Sequence, residues 1–382
     1  MFKIKDIRQI LIVVFFVLIY SNFSKEKNII LKKNNLNVRT IYDLFVDEIK
    51  NNTILIFEPS YGHHECIPGF VKYFIELRYN VDILVHASGF DCLNWFRDIK
   101  NIRLFIFDNI RQINENIANL SLIIKKYDYI LLQTTDNEKK YLYNKLNVFN
   151  LDNTIFVFHE ISFADNSYLK YFYQNKIWTL GNISKGLQVN PNFFGDIKIK
   201  KKNKITSFFI TSSVNRNYTE LIDSVSRLKK ENFKFKIIIT GRANYFNSSL
   251  IPKDILDNFQ FKIKVIYSEL YQIVERADFI IITLDPQNKF HNPFRISRVT
   301  GSIQLSYGFL KPCLINKKFA SFYNLNDKNS IIFNSYDLYS SMKRAILLDG
   351  QEYRKLQNNL NITVNKIQNI SIHNIKKVVT EL

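Results

Sequence analysis

Cysteine is nearly absent. The three present, Cys66, Cys92 and Cys313, lie far apart in the 382-residue chain, with no CxxC pair and no histidine at metal-ligand spacing. That excludes a disulfide framework and a structural zinc site. Glycine is scarce too, ten residues in all, while Lys, Asn, Ile, Phe and Tyr are abundant. The imbalance reads as a coding bias, and it offers a plain origin for part of the formal charge of +19, 53 Lys and Arg against 34 Asp and Glu. An excess of that size also suits phosphate-bearing ligands, an anionic membrane surface or nucleic acid. The basic residues are dispersed, however, and no recognisable module or aromatic-basic motif accompanies them, so no nucleic-acid partner is expected. Low-complexity segments and internal repeats are absent. Sequons such as those at Asn182 and Asn361 are what an Asn-rich chain produces by chance.

What is present is enough apolar residue to build large cores: 46% hydrophobic against 23% charged. At ~100 to 200 residues per domain, the length predicts two domains. The one concentrated apolar run, Ile10 to Tyr20, follows Lys3, Lys5 and Arg8. It is short for a spanning helix, which needs ~20 residues, and no small-residue cleavage site follows it. Residues 1–38 are expected to hold an uncleaved anchor or an interfacial helix followed by a polar linker, with a buried helix of the first domain as the alternative to the anchor. Basic residues flank both sides, so the cytoplasmic placement expected for the globular part rests on a cytosolic cosubstrate.

Beyond it, short β-rich runs alternate with amphipathic stretches, the pattern of βαβ units and a parallel sheet. Strands are expected at Ile54–Phe57, Val81–His86, Arg103–Phe107, Tyr129–Gln133 and Thr154–Phe158. A second series is expected at Ile205–Thr211, Phe235–Thr240, Lys262–Tyr267, Phe279–Thr283, Pro312–Ile315 and Ser330–Phe333. The expected architecture is α/β, two Rossmann-like domains over residues 39–190 and 191–350, with a helix over 351–382 packing back. Ligands of such sheets sit in the crevice outside the carboxyl ends of the strands.

Residues in those loops are therefore the candidates for chemistry. After the first strand come Glu58, Gly62, His63, His64 and Glu65, where histidines can accept a proton or bind an acceptor hydroxyl; His64 is the favoured base, with Glu58 or Glu65 orienting it. His159-Glu160 follows the fifth strand, as proton acceptor, helix cap or interdomain contact. In the second half, Arg216 in the Ser212-Ser213 loop can neutralise a diphosphate, and Gly241-Arg242 ends a buried strand with a turn that admits a ligand. The densest cluster runs from Arg295 and Arg298 through Thr300, Gly301 and Ser302 into a helix carrying Gln304. Two arginines beside a helix N-terminus suit a pyrophosphate.

At Ile237 to Arg242, at Ser268-Glu269-Leu270-Tyr271 through Ala277-Asp278-Phe279, and at Thr300 to Pro312, the chain resembles the GT-B glycosyltransferases, and among them the GT4-like group of bacterial cell-surface polysaccharide enzymes. The resemblance implies a GT-B architecture and transfer of a sugar from a nucleotide-sugar to an acceptor hydroxyl of a glycan or lipid-linked acceptor at a membrane. The donor would lie on Arg216, Gly241, Arg242, Arg295, Arg298, Thr300, Gly301, Ser302 and Gln304, and no cofactor or metal is implied. The group's two glutamates, eight positions apart around the donor helix, are missing; Gln304 stands near the second. A nucleotide-sugar 2-epimerase and a non-catalytic binder of sugar nucleotides or glycans are the rival expectations.

Overall fold

The computed structural model describes residues 38–96, 99–183, 185–213, 216, 218–241 and 250–379. The expected anchor falls outside them, and among the described residues no helix is long and apolar enough to cross a membrane.

Two parallel sheets organise the chain. The first contains β1 (Val38–Thr40), β2 (Thr53–Glu58), β3 (Asn80–His86), β4 (Ile102–Phe107), β5 (Tyr129–Leu132), β6 (Thr154–Phe158), β7 (Ile177–Thr179) and β8 (Leu187–Gln188), in the order β1-β4-β3-β2-β5-β6-β7-β8. The second contains β9 (Thr206–Thr211), β10 (Phe235–Gly241), β11 (Phe259–Ile263), β12 (Phe279–Ile281), β13 (Cys313–Asn316) and β14 (Ile331–Phe333), in the order β11-β10-β9-β12-β13-β14. All six residues of β2 are buried, as a central strand covered by helices on both faces requires. Strand order reverses between β2 and β5 in the first sheet and between β9 and β12 in the second. The loops leaving those strands therefore open onto crevices.

Three elements depart from the sequence reading. Val38–Val46, ahead of the first expected strand, forms β1 and a helix that buries Ile41 and Leu44. β7 and β8 extend the first sheet. The strand expected at Lys262–Tyr267 ends at Ile263, because Lys264 adopts a left-handed conformation (φ 58°), and Tyr267 opens the helix Tyr267–Arg276.

A 30-residue helix, Gly350–Val379, spans roughly 45 Å at ~1.5 Å per residue and touches both domains. Near its start the Tyr353 hydroxyl donates to the Asp278 carbonyl, at 2.7 Å; near its end Tyr79 and Tyr129 donate to the carbonyls of Val379 and Val378. Ser371 Oγ accepts from the Asn190 amide, tying the interdomain crossover to the same helix.

Candidate functional site

Between the sheets lies a cleft of about 330 Å³, with walls supplied by loops from both domains. The second-domain wall comes from the carboxyl ends of β9 and β12. Thr211, Ser212 and Ser213 line it, with Arg216 beyond them. Gly241 does not reach the cleft; its φ of 142°, and the 2.1 Å that would separate an added Cβ from Ser212 Oγ, show that it lets Ser212 pack against the end of β10. Burial lowers Arg216 to about 10; the guanidinium bonds the Thr283 carbonyl at 3.1 Å and lies over the Phe294 ring. Arg298 covers the same ring, leaving its side chain 46% exposed.

The helix Gly301–Gly308 begins at this wall. Thr300 precedes it without a side-chain capping bond, and Thr300, Gly301, Ser302 and Gln304 all line the cleft. Thr211 and Ser302 hydroxyls pair at 2.5 Å. An uncapped helix start carries unsatisfied N–H groups and a positive dipole end, so this wall of hydroxyls, amides and two guanidiniums has the chemistry to bind an anion. Gln304 is buried, and neither end of its amide has a hydrogen-bond partner. An amide left so in a cleft wall awaits a ligand group or a water.

The first-domain wall is set by the loops after β2 and β6. His63, held left-handed at φ 66°, and His159 face the cleft with ring centroids 3.9 Å apart and ring planes inclined by 37°. Glu65 lies 3.8 Å from His63 Nδ1 and accepts from the Tyr267 hydroxyl across the domain boundary. Burial works against charge on Glu65, yet the bond to His63 holds it at about 2. Burial likewise depresses His63, but Glu65 outweighs it and raises that histidine; His159, without such a partner, is pushed well down by burial and by His63.

His64, the base favoured from sequence, is corrected to a packing residue. Its ring is buried outside the cleft, packed so closely on Gly89 that a Cβ there would sit 2.1 Å from Cγ. Burial takes it down to about 4. Arg295 is likewise turned away, bonded to Asn292 Oδ1 and lying over Phe319, and Gly62 does not reach the cleft. Arg242 lies outside the described residues.

Glu58 lies beneath the histidine wall, fully buried, accepting from the Ser60 amide at 2.7 Å, Gln133 Nε2 at 3.0 Å and Thr134 Oγ1 at 2.5 Å. Burial outweighs these bonds and lifts it to about 7. A carboxyl raised above its unfolded value of 4.5 contributes stability that is complete below that pH and lost as pH rises through about 7. Glu58→Gln removes this titration. Its melting temperature relative to wild type should therefore rise between pH 5 and pH 8, by an amount on the order of 2–3 kcal/mol in stability at ~1.4 kcal/mol per pKa unit. A difference independent of pH in thermal denaturation would show that Glu58 is already ionised.

The domains also touch at the cleft's rims. Glu160 pairs with Arg298 at 3.6 Å, the Ile161 amide donates to the Ser297 carbonyl, and Asp91 caps the Ser268 amide at 3.0 Å. Sequence reasoning missed Gln133, Tyr267 and Phe294. The position of Gln133 directly after β5, at the strand-order reversal, was the available signal.

The chain matches no family model and no curated protein. Its fold is similar to those of solved glycosyltransferases. One from Rickettsia africae ESF-5 is 16% identical with a TM-score of 0.56, over 87% of this chain and 99% of that one. Anabaena HepE, solved in complex with UDP, is 13% identical with a TM-score of 0.53, over 86% and 100%. AviGT4, a glycosyltransferase involved in avilamycin A biosynthesis, is 9% identical with a TM-score of 0.50, over 86% and 98%. At such identities the likeness shows the fold alone: two parallel α/β domains in the GT-B arrangement.

Proposed function

We propose that this protein is a glycosyltransferase that moves a sugar from a nucleotide-sugar to an acceptor hydroxyl. The observation that carries the reading is one cleft with two different walls: an anion cradle of Arg216, Arg298, five hydroxyls and an uncapped helix start, facing a pair of histidines in ring contact. A diphosphate on the first wall places the sugar it carries toward the second. Charge developing on the leaving diphosphate then meets fixed cations and amides, and closure of the two domains about the ligand would exclude water and strengthen those interactions. That the fold neighbour HepE was solved with UDP supports a nucleoside diphosphate as the ligand class. The acceptor is a glycan or lipid-linked hydroxyl, and the role is cell-surface glycan synthesis of the GT4-like kind. The excess of basic residues favours work beside anionic headgroups, each nearby Lys or Arg adding on the order of 1 kcal/mol.

The test is a thermal-shift panel of UDP-, GDP-, ADP- and CMP-linked sugars on the full-length protein and on Arg298→Ala. One nucleotide class should stabilise the wild type by about 2.7 kcal/mol at a hundred times its Kd. Removing a charge-assisted contact worth ~1.5–3 kcal/mol should weaken that binding by roughly 10- to 100-fold in the variant. Glu160→Gln, which loosens the same interdomain pair without touching the cation, should keep the stabilisation. Folded wild-type protein indifferent to all four classes would end the donor-site assignment.

A further inference from the structure

Beside the mouth of the cleft, the first domain is apolar where a surface is ordinarily polar. An open groove of about 640 Å³ runs along β8, the last strand of the sheet, and its walls include Leu169, Phe172 and Tyr173 of the helix Leu169–Tyr173. Leu169 is 48% exposed and Tyr173 85%, so two large side chains one helical turn apart stand in water together. Phe163, also exposed, lies between this groove and the cleft. It follows Glu160-Ile161, a segment that pairs antiparallel with Ser297-Arg298 of the second domain. On that facing segment Ile296 is 68% exposed. Exposed apolar side chains grouped in this way mark a surface that meets a partner or a membrane.

The charge around them selects between the two. Lys185 lines the groove and pairs with no carboxylate among the described residues. Lys170 meets Asp152 at 3.4 Å, both side chains exposed, and Lys176 bonds the Asp152 carbonyl. Asp165, in the groove wall, is taken by Lys140. The two paired aspartates thus leave an excess of lysine. We propose that this face docks on an anionic phospholipid bilayer, with Phe163, Leu169, Tyr173 and Ile296 at the boundary between headgroups and acyl chains and the lysines among the headgroups. Tyrosine and lysine suit that boundary, each joining an apolar body to a polar tip. The chain outside the described residues agrees with the occupant. Its apolar run Ile10 to Tyr20 has basic residues on both flanks, and residues 21–37 can reach up to ~55 Å at ~3.3 Å per residue, while β1 and β8 stand only ~34 Å apart across the eight-stranded sheet at ~4.8 Å per strand. Run and face can therefore meet one bilayer. Docked so, the cleft opens at the membrane surface, where a lipid-linked acceptor presents its hydroxyl. For that purpose the proposal rests on the glycosyltransferase reading; its test does not.

Full-length protein carrying Tyr173→Cys takes an environment-sensitive fluorophore at the new thiol, because the three native cysteines are buried. On vesicles of equal parts phosphatidylserine and phosphatidylcholine its emission should shift to the blue. The same label at Leu347→Cys should not shift: Leu347 is exposed at the end of the second sheet opposite the cleft, where Lys202, ahead of β9, bonds the carbonyl of its neighbour Ile346. Lys170→Gln with Lys185→Gln should weaken binding to these vesicles by roughly 25-fold, about fivefold per lysine, and leave binding to pure phosphatidylcholine unchanged. Leu169→Gln with Tyr173→Gln should weaken binding to both. All four positions are exposed, so melting temperatures should stay at the wild-type value. Vesicle binding that leaves the Tyr173→Cys label unshifted, or that neither pair of substitutions weakens, would assign the membrane contact to the N-terminal run alone and overturn the proposal. Absence of vesicle binding would do the same. A blue shift without vesicles, in protein that sediments as a dimer, would give the face to a second copy of the chain. Docking by this face in protein that neither binds nor turns over any nucleotide-sugar would uphold the surface and count only against the glycosyltransferase reading.

Discussion

Gly301→Val is expected to fold as stably as wild type and to bind nucleotide-sugar at least ~100-fold more weakly. A Cβ added at Gly301 meets no atom within 4 Å, and glycine at the start of a helix gives nothing that valine lacks: the exchange improves helix propensity slightly. The space is empty because it is the cleft itself, in front of the first amides of the helix Gly301–Gly308. Two methyl groups there hold a phosphate away from those amides and from the Thr300 and Ser302 hydroxyls, and the dipole's contribution falls off within the first turn. The check is a pair of melting curves, without and with nucleotide-sugar at a hundred times the wild-type Kd. The curves without ligand should coincide within about 2 °C, and the ligand should restore almost none of the ~2.7 kcal/mol it gives the wild type. A variant that remains stabilised by ligand would place the anion elsewhere in the cleft. Gly301→Ala, with one methyl, should fall between.

How much of this was legible in the sequence depended on what each feature needs to be seen. Strands such as Ile54–Phe57 and Thr154–Phe158 announce themselves because both faces are buried and every residue is apolar or β-branched. β1 does not, because three edge residues, Val38-Arg39-Thr40, carry no period. The cleft loops were legible through the rule that crevices open at the carboxyl ends of strands, and His63, Glu65, His159, Arg216, Arg298, Thr300, Gly301, Ser302 and Gln304 do meet in one cleft. Choosing between neighbours was not legible. His63 and His64 differ by one position, and only the left-handed turn at His63 decides that its ring faces the cleft while the next ring goes under Gly89. Arg295 and Arg298 are three apart, and the tight turn Lys289–Arg295 sends the first onto Asn292 and Phe319. Gln133 presents the opposite case: its place was readable, but its role was not, since its partners come from β2 and from the loop after β6.

The same dependence on close approach makes Gly69→Ala the most damaging single methyl we expect. In an open helix this exchange would stabilise by up to ~1 kcal/mol. Here the new Cβ would lie 2.4 Å from both Cα and C of Pro191 and 2.5 Å from its carbonyl oxygen. Those are backbone atoms and cannot swing aside like a side chain. Nor can the segment slide, because Asn190 is bonded through its amide to Ser371, through its side chain to the Leu180 carbonyl at 2.6 Å, and through its carbonyl to the Tyr73 hydroxyl at 2.6 Å. The helix Ile67–Glu76 must therefore move off the interdomain crossover, at the upper end of the ~1–3 kcal/mol typical of overpacking. The melting temperature should fall on the order of 5–10 °C. Gly350→Ala, where nothing lies within 4 Å, is the control that should not lower it. The strain has a functional address as well. That helix begins directly after the turn carrying His63 and Glu65, while the anion cradle belongs to the other domain. Gly69→Ala protein that remains folded at low temperature should keep its nucleotide-sugar affinity and lose kcat. A variant that melts like wild type would mean that Pro191 does not approach as closely as described, and one that loses donor affinity and kcat together would mean that the two walls are not built independently.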